Sequence, residues 1–440
     1  VHRRRQYRTA APVRLRAVRG GIMAVVIGAY RTLPWLVSAW LLSRAALLLC
    51  VFKVIVVPGP DVTSDVSVIY RGWYEVLRGG TYPLNDVTWQ YPPGAALPVL
   101  APGTLPFLDY ASAFFVLCLL CDAAVFGLLL YAGAGGPGRS ARGAWVWTAG
   151  VPLLGPTAYA RYDLMVTAVA VAALLAGARR PRALGALAAV GALLKLWPAL
   201  LLVGVRRGRP ARAAWSAAAV TAAALTVLLV AAAPGALAFL AFQRDRGIEI
   251  ESLGALVFHV ARHVGWDGQM MLNYGSVEFL GPYVPLVSAV SLGLSALALG
   301  WLLLWRVRTR RFTASTVCDA AFAAVLLFTV TSRVISPQYV LWLVGLAAVC
   351  LTFRPSRMGP PAMLVLAATA VTLLEFPVFF GNVVASDALG LGLLIARNGL
   401  LAGATAVACG RVWGAGVRGE AVRGEPGSAG RVSPLPRPFP

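Results

Sequence analysis

The chain has 440 residues, 59% hydrophobic and 13% charged, with a formal net charge of +22. Soluble domains carry roughly 25% charged residues, so water is excluded as the main solvent. Nucleic-acid binding is excluded as well, because the positive charge is parcelled into short connectors between apolar runs rather than gathered on a polar domain.

Residues 1–32 form a basic head in which 1–31 carry eight arginines and no acid. The apolar run after it is too long for a signal peptide and lacks a small-residue cleavage site, while Met23 offers an internal start. Crossing about 30 Å of hydrocarbon takes about 20 apolar residues. Runs of that kind occupy 33–57, 111–131, 213–232, 283–305, 361–380 and 389–410, with shorter ones at 145–158, 164–178, 315–331 and 340–353. Long apolar runs without strict alternation are helices, not barrel strands. Fifteen arginines fall in acid-free connectors, at 139 and 142, 179–182, 206–212, 306–311, and 354 and 357, and mark the cytoplasmic side. The segments 58–93 and 233–282 together carry five basic and nine acidic residues and belong outside. Residues 411–440, rich in Gly, Pro and Arg, read as a disordered cytoplasmic tail.

The segment 183–205 has arginine connectors at both ends, which a straight crossing cannot satisfy. Pro198 in Leu194-Lys195-Leu196-Trp197-Pro198 breaks the helix ladder, so two half-helices entering and returning, with Lys195 at the turn, resolve the conflict. The expectation is an all-α polytopic membrane protein of about ten full spans plus this hairpin, equivalent to about twelve membrane helices.

After the first run comes PDVTSDVSVIYRGWYEVLRGGTYPLNDVTWQYPPG, residues 60–94, too polar for lipid and rich in Asp, Tyr and Trp. Val66, Ile69, Trp73 and Leu77 keep helical spacing until Gly79-Gly80, predicting an interfacial amphipathic helix with Asp65 at its start. Asp65 is then either a helix cap or a general base beside an acceptor hydroxyl, with Asp61 the alternative base. Tyr70, Trp89 and Tyr91 supply flat faces for sugar rings or anchors for the interface. The cations on the same side are Arg161, Lys195, Arg244, Arg246 and Arg333, and Lys195 is the costliest to place in a membrane. Arg161 and Asp163 are close enough in sequence to pair with each other. Glu249, Glu251, Gln338 and Tyr339 are candidates to bind sugar or acceptor hydroxyls. His259 and His263 have ligand-like spacing but no third partner, so no metal or other cofactor is expected, and His259 is held as a phosphate or hydroxyl donor. Asp122, Asp319 and Glu375 read as hydrogen-bonding groups between helices. Cys118 and Cys121, inside an apolar run, read as small hydrophobes.

The ordered set of segment 60–94, then RYDLM, GALLKLWPALLL, QRDRGIEIESLGA, SRVISPQYVLW and LLEFP, resembles actinobacterial glycosyltransferase family 87 over about 33–410. The resemblance implies a GT-C membrane fold, with 33–410 as the catalytic domain. It also implies inverting transfer of a sugar, mannose first and arabinofuranose second, from a polyprenyl-phosphate donor to a glycolipid or envelope glycan, with membrane lipids the only other partner. The family aspartate corresponds best to Asp65, and the phosphate cations to Lys195 and Arg333, then Arg161 and His259. A transporter or lipid flippase, using Asp122, Asp319, Glu375 and Lys195, is the rival of a different class, and a scaffold for envelope assembly is third.

Overall fold

A computed structural model describes residues 33–242 and 247–419. Six of its helices are long and apolar enough to cross a membrane: Leu33–Val51, Tyr110–Gly133, Arg209–Ala232, Val284–Arg308, Gly359–Val378 and Ala388–Arg418. Arg209–Ala232 is almost wholly exposed along its apolar length, a surface that only lipid solvates without cost. The first of these helices stops at Val51, short of the expected 57, where Lys53 takes a left-handed turn. The fifth loses regular helical geometry at Phe376, beside Pro377, and resumes as Phe380–Ala385.

Shorter apolar helices, Asp163–Gly177, Pro181–Leu194, Thr316–Thr331 and Tyr339–Thr352, fill the middle. At 14 residues Tyr339–Thr352 is only about 21 Å long. Nearly all its side chains are buried against neighbouring helices, so it need not match the lipid thickness.

The hairpin at Pro198 is present. Pro181–Leu194 is α-helical, Lys195 is extended, and Trp197–Leu202 returns as a 3-10 helix rather than the expected second α-helical half. The two arms touch: a Cβ on Gly191 would lie 2.8 Å from Cβ of Pro198. The returning arm ends where Arg306 donates to the carbonyls of Val203 and Val205 at 2.7 and 2.6 Å. Other arginine connectors meet at this same end. Arg354 donates to the Arg139 carbonyl at 2.7 Å and Arg411 to that of Arg357 at 2.5 Å.

Buried polar groups lock the bundle. Asp122 accepts from Trp40, Trp147 and Tyr159 at 3.0, 2.7 and 2.8 Å and pairs with Arg44 at 2.8 Å. Asp319 accepts from Ser315 and Ser356 at 2.9 and 2.6 Å, and Glu375 pairs with Arg397 at 2.7 Å. These acids are interhelical tethers, as the sequence suggested.

A three-stranded antiparallel sheet lies within the polar segment 233–282, whose sequence predicts no strands. Strands β1 (Ile248–Glu249), β2 (Gln269–Asn273) and β3 (Ser276–Leu280) are ordered β1-β3-β2, with Ile248 opposite Phe279 and Glu249 opposite Glu278. Ile248, Ile250, Phe258 and Phe279 form its own small core.

Candidate active site

At the end of the bundle opposite the arginine connectors lies a cavity of about 540 Å³, within the usual range of about 300–1,000 Å³ for small-ligand sites. Its walls come from the segment after the first helix, the turn before Asp163, the hairpin tip, strand β1 and the segment Ser332–Tyr339.

The first wall is organised by Asp61. Its carboxylate accepts from Thr63 N and Oγ1 at 2.9 and 2.7 Å and pairs with Lys53 at 2.7 Å. Partial burial raises its pKa, but the hydrogen bonds from Lys53 and Thr63 outweigh that and hold it below the usual carboxylate value. Asp61 therefore shapes the loop and lines the cavity with its oxygens already engaged.

Asp65 begins a π-helical segment, Asp65–Tyr70, that runs into the α-helix Arg71–Arg78. No side chain caps this helix start, so the capping role weighed for Asp65 does not apply. The helix stops at Gly79, and Gly80 takes φ 85°, a conformation glycine supplies without a Cβ clash. Asp65 Oδ2 lies 2.8 Å from Arg161 Nη2, and the carboxylate keeps 31% exposure in the cavity wall. Arg161 Nη1 also donates to the carbonyls of Val62 and Ala160 at 2.9 and 2.8 Å. The guanidinium is thus spent on fixing the Asp65 loop, and the pairing of Arg161 with Asp163 that proximity suggested is not formed.

Asp163 pairs instead with Lys195 at 2.7 Å and accepts from the Trp342 indole at 2.7 Å. Lys195 Nζ lies 5.0–5.4 Å from the ring centres of Tyr91, Tyr162, Tyr339 and Trp342, and each ring contributes about 0.5–2 kcal/mol of cation–π attraction. Three consecutive residues, Arg161-Tyr162-Asp163, thereby hold a carboxylate on one wall and an ammonium on another. Pro92 to Ala95 closes over this site so tightly that a Cβ on Gly94 would sit 2.6 Å from the Leu193 carbonyl.

Glu249 is carried by β1 and accepts from Ser336 at 2.9 Å, while its amide donates to the Arg333 carbonyl at 3.1 Å. Arg333 donates to Ser288 at 3.3 Å, and both Arg333 and Gln338 line the cavity. Glu251 is buried at the cavity wall. Burial raises its carboxyl well above the ordinary value, and the nearby carboxylates of Glu375 and Glu249 add to this. Arg397, which the sequence reading did not single out, sits beneath, bonded to Glu375 and to the Glu251 carbonyl. An arginine inside an otherwise apolar run was its one available signal.

Two expectations fail geometrically. His259 does not line the cavity: it is fully buried, 2.7 Å from Ser386 Oγ and 2.8 Å from the Ile250 carbonyl, and burial lowers its pKa to about 4. Trp89 is fully buried between Trp73, Tyr82 and Tyr91, so it supports the wall rather than facing a sugar or the interface. Tyr70 and Trp73 of the amphipathic segment are likewise turned into the protein, although both touch the cavity. Arg244 and Arg246 lie outside the described residues. Among the described residues no three His, Cys, Asp or Glu side chains are grouped to hold a metal ion.

Fold and site together define a polytopic membrane protein whose charged cavity opens at one end of its helices. The chain belongs to glycosyltransferase family 87, whose model matches residues 89–337, more than half of its length. The match takes in Arg161, Lys195, Glu249 and Arg333 and begins after Asp65. No curated protein and no solved structure gives a significant match.

Proposed function

We propose that the chain is an inverting glycosyltransferase of GT-C architecture. It moves a sugar, mannose in the first instance, from a polyprenyl-phosphate donor to a glycolipid or envelope glycan, with 33–410 as the catalytic domain. In this reading ten crossings, Arg142–Leu153 among them, plus the 183–205 hairpin leave both termini in the cytoplasm and the cavity on the extracytoplasmic side, and the arginine connectors meeting at the opposite end support it. The observation that carries the proposal is one cavity lined by Asp65, Lys195 and Arg333, with the Arg161-Tyr162-Asp163 turn bracing two of them.

The chemistry follows from that layout. The acceptor hydroxyl attacks the anomeric carbon from the face opposite the phosphate, and its proton passes to Asp65. The bond from that carbon to the phosphate oxygen breaks, and its electron pair leaves on the polyprenyl phosphate. Lys195 and Arg333 offset the developing negative charge. Arg161 holds Asp65 at Oδ2, and the carboxylate keeps 31% exposure towards the space where the hydroxyl would bind. Glu249, Glu251, Gln338 and Tyr339 line the space for sugar and acceptor hydroxyls.

Asp122, Asp319, Glu375 and Lys195, on which a transport reading would draw, are each bonded within the protein. Purified protein in nanodiscs, given polyprenyl-phosphate mannose, polyprenyl-phosphate arabinose or a nucleotide sugar with a glycolipid acceptor, tests the proposal by mass spectrometry of the products. A product from the mannose donor is expected; a product from the arabinose donor alone moves the assignment to an arabinofuranosyltransferase. A product only from the nucleotide sugar overturns the donor class.

A further inference from the structure

Within the polar segment 233–282, the helix Leu256–Ala261 and its flanks have a pattern inverted relative to a water-facing helix. Val257 and Val260 of the helix, with Leu253 in the turn before it and Val264 in the 3-10 turn after it, are 53%, 51%, 37% and 84% exposed. His259 is buried, while Arg262 and His263 are exposed along their length but turn their polar tips back to the protein. His259 Nε2 lies 2.8 Å from the Ile250 carbonyl, which only accepts, so in the neutral ring Nδ1 accepts from Ser386 Oγ at 2.7 Å. Arg262 donates to Ser386 Oγ at 2.7 Å and to the Val384 carbonyl at 2.8 Å, and His263 Nε2 lies 2.8 Å from the Ser386 carbonyl. A segment whose polar tips are bonded back into the protein while its valines face outward suits an apolar surrounding.

Depth points the same way. Counting about 30 Å of hydrocarbon back from Arg306 at about 1.5 Å per residue reaches the neighbourhood of Leu286. A Cβ on Gly254 would lie 3.2 Å from both Val287 and Ser291, so the start of this segment touches the span Val284–Arg308 at or inside the hydrocarbon boundary. Leu286 and Val290 on that span are themselves 61% and 53% exposed, which makes the apolar face of 253–264 continuous with the lipid-facing belt.

We infer that 253–264 is not an aqueous loop but an interfacial helix sunk into the hydrocarbon edge of the leaflet at the cavity end, with lipid acyl chains as its partner. Its polar face ties it to Ser386 and, through Ile250, to the strand end carrying Glu249 and Glu251, so the embedded helix sets the height of that cavity wall above the bilayer.

The test places cysteines singly by Val260→Cys, Val264→Cys and, in an exposed arginine connector, Pro137→Cys. The full-length proteins are labelled with an NBD maleimide in detergent, reconstituted in nanodiscs, and corrected for wild-type labelling of the native cysteines. Dye at 260 and 264 is expected to be quenched at least twofold more by phosphatidylcholine brominated at carbons 6 and 7 than dye at 137, and at least fivefold less by aqueous iodide. Iodide quenching at 260 and 264 equal to that at 137, with no effect of brominated lipid, overturns the inference and would fit a water-exposed face awaiting a protein. Should Val260→Cys fail to fold, Val264→Cys, at the more exposed end, gives the same readout.

Discussion

The Lys195–Asp163 pair is the most exacting part of the account. At 2.7 Å, with both groups largely withdrawn from solvent, the gross attraction at an effective dielectric near 20 is about 6 kcal/mol before desolvation is subtracted. Changing Lys195→Met leaves the Asp163 carboxylate buried with the Trp342 indole, and removing one partner of such a pair costs about 3–5 kcal/mol. Changing Asp163→Asn as well removes the stranded charge, so the double variant recovers about 2–3 kcal/mol relative to additivity. The assay is the rate of thermal unfolding in detergent followed by gel filtration, since equilibrium unfolding of a polytopic protein is not a well-defined quantity. If the contact is absent at the unfolding barrier, Lys195→Met unfolds about 100- to 5,000-fold faster than wild type, and the double variant unfolds about 30- to 150-fold more slowly than the product of the two single effects. Strictly additive rates in the double variant would refute the claim that these two charges stabilise each other.

Arg161→Gln frees the Asp65 carboxylate from its brace, and a misplacement of about 1 Å at the reacting groups lowers kcat about 100-fold with the donor KM nearly unchanged. Arg161→Lys, which keeps the charge, restores part of it; an unchanged kcat in both variants would remove Arg161 as a positioning residue. Because burial depresses the His259 pKa to about 4 from an ordinary value near 6.5, the unfolded chain binds more protons between those values. Stability is therefore fully present above about pH 6.5 and is lost as pH falls toward 4. His259→Gln flattens that part of the unfolding-rate profile, and an unaltered slope contradicts the burial argument. Arg44→Met strands the Asp122 carboxylate between helices and destabilises by about 3–5 kcal/mol. Activity per folded molecule stays the same in that variant, whereas a change in donor KM would mean the tether reaches the site.

What the sequence made legible was whatever physics imposes locally. Apolar runs marked most of the helices to within a few residues, the first excepted, which stops at Val51; arginine placement grouped the connectors, and Pro198 together with the arginine conflict located the hairpin with Lys195 at its turn. Asp65, Lys195, Arg333 and Glu249, which the sequence reading groups on one side, line one cavity. The failures are tertiary. Which carboxylate Arg161 chooses depends on helix packing that brings residue 65 beside 161, and nothing in the spacing of Arg161 and Asp163 foretold a swap of partners. His259 and Trp89 carried the right chemistry but belong to supporting layers, because a side chain's residue type does not say which way its element faces. The sheet was missed because a two-residue strand and two five-residue strands have no periodicity long enough to distinguish from loop.

The central claim is that the Asp65 carboxylate takes the acceptor's proton, and Asp65→Asn in nanodiscs tests it most directly. The amide is nearly isosteric and loses the negative charge, so sugar transfer from the polyprenyl-phosphate donor should fall by a factor of about 10²–10⁴, the usual share of general-base catalysis, while donor affinity stays within a few-fold of wild type. Asp61→Asn, whose carboxylate is engaged by Lys53 and Thr63, should retain transfer in the molecules that fold. Wild-type turnover in Asp65→Asn, or transfer lost in Asp61→Asn instead, would contradict the account.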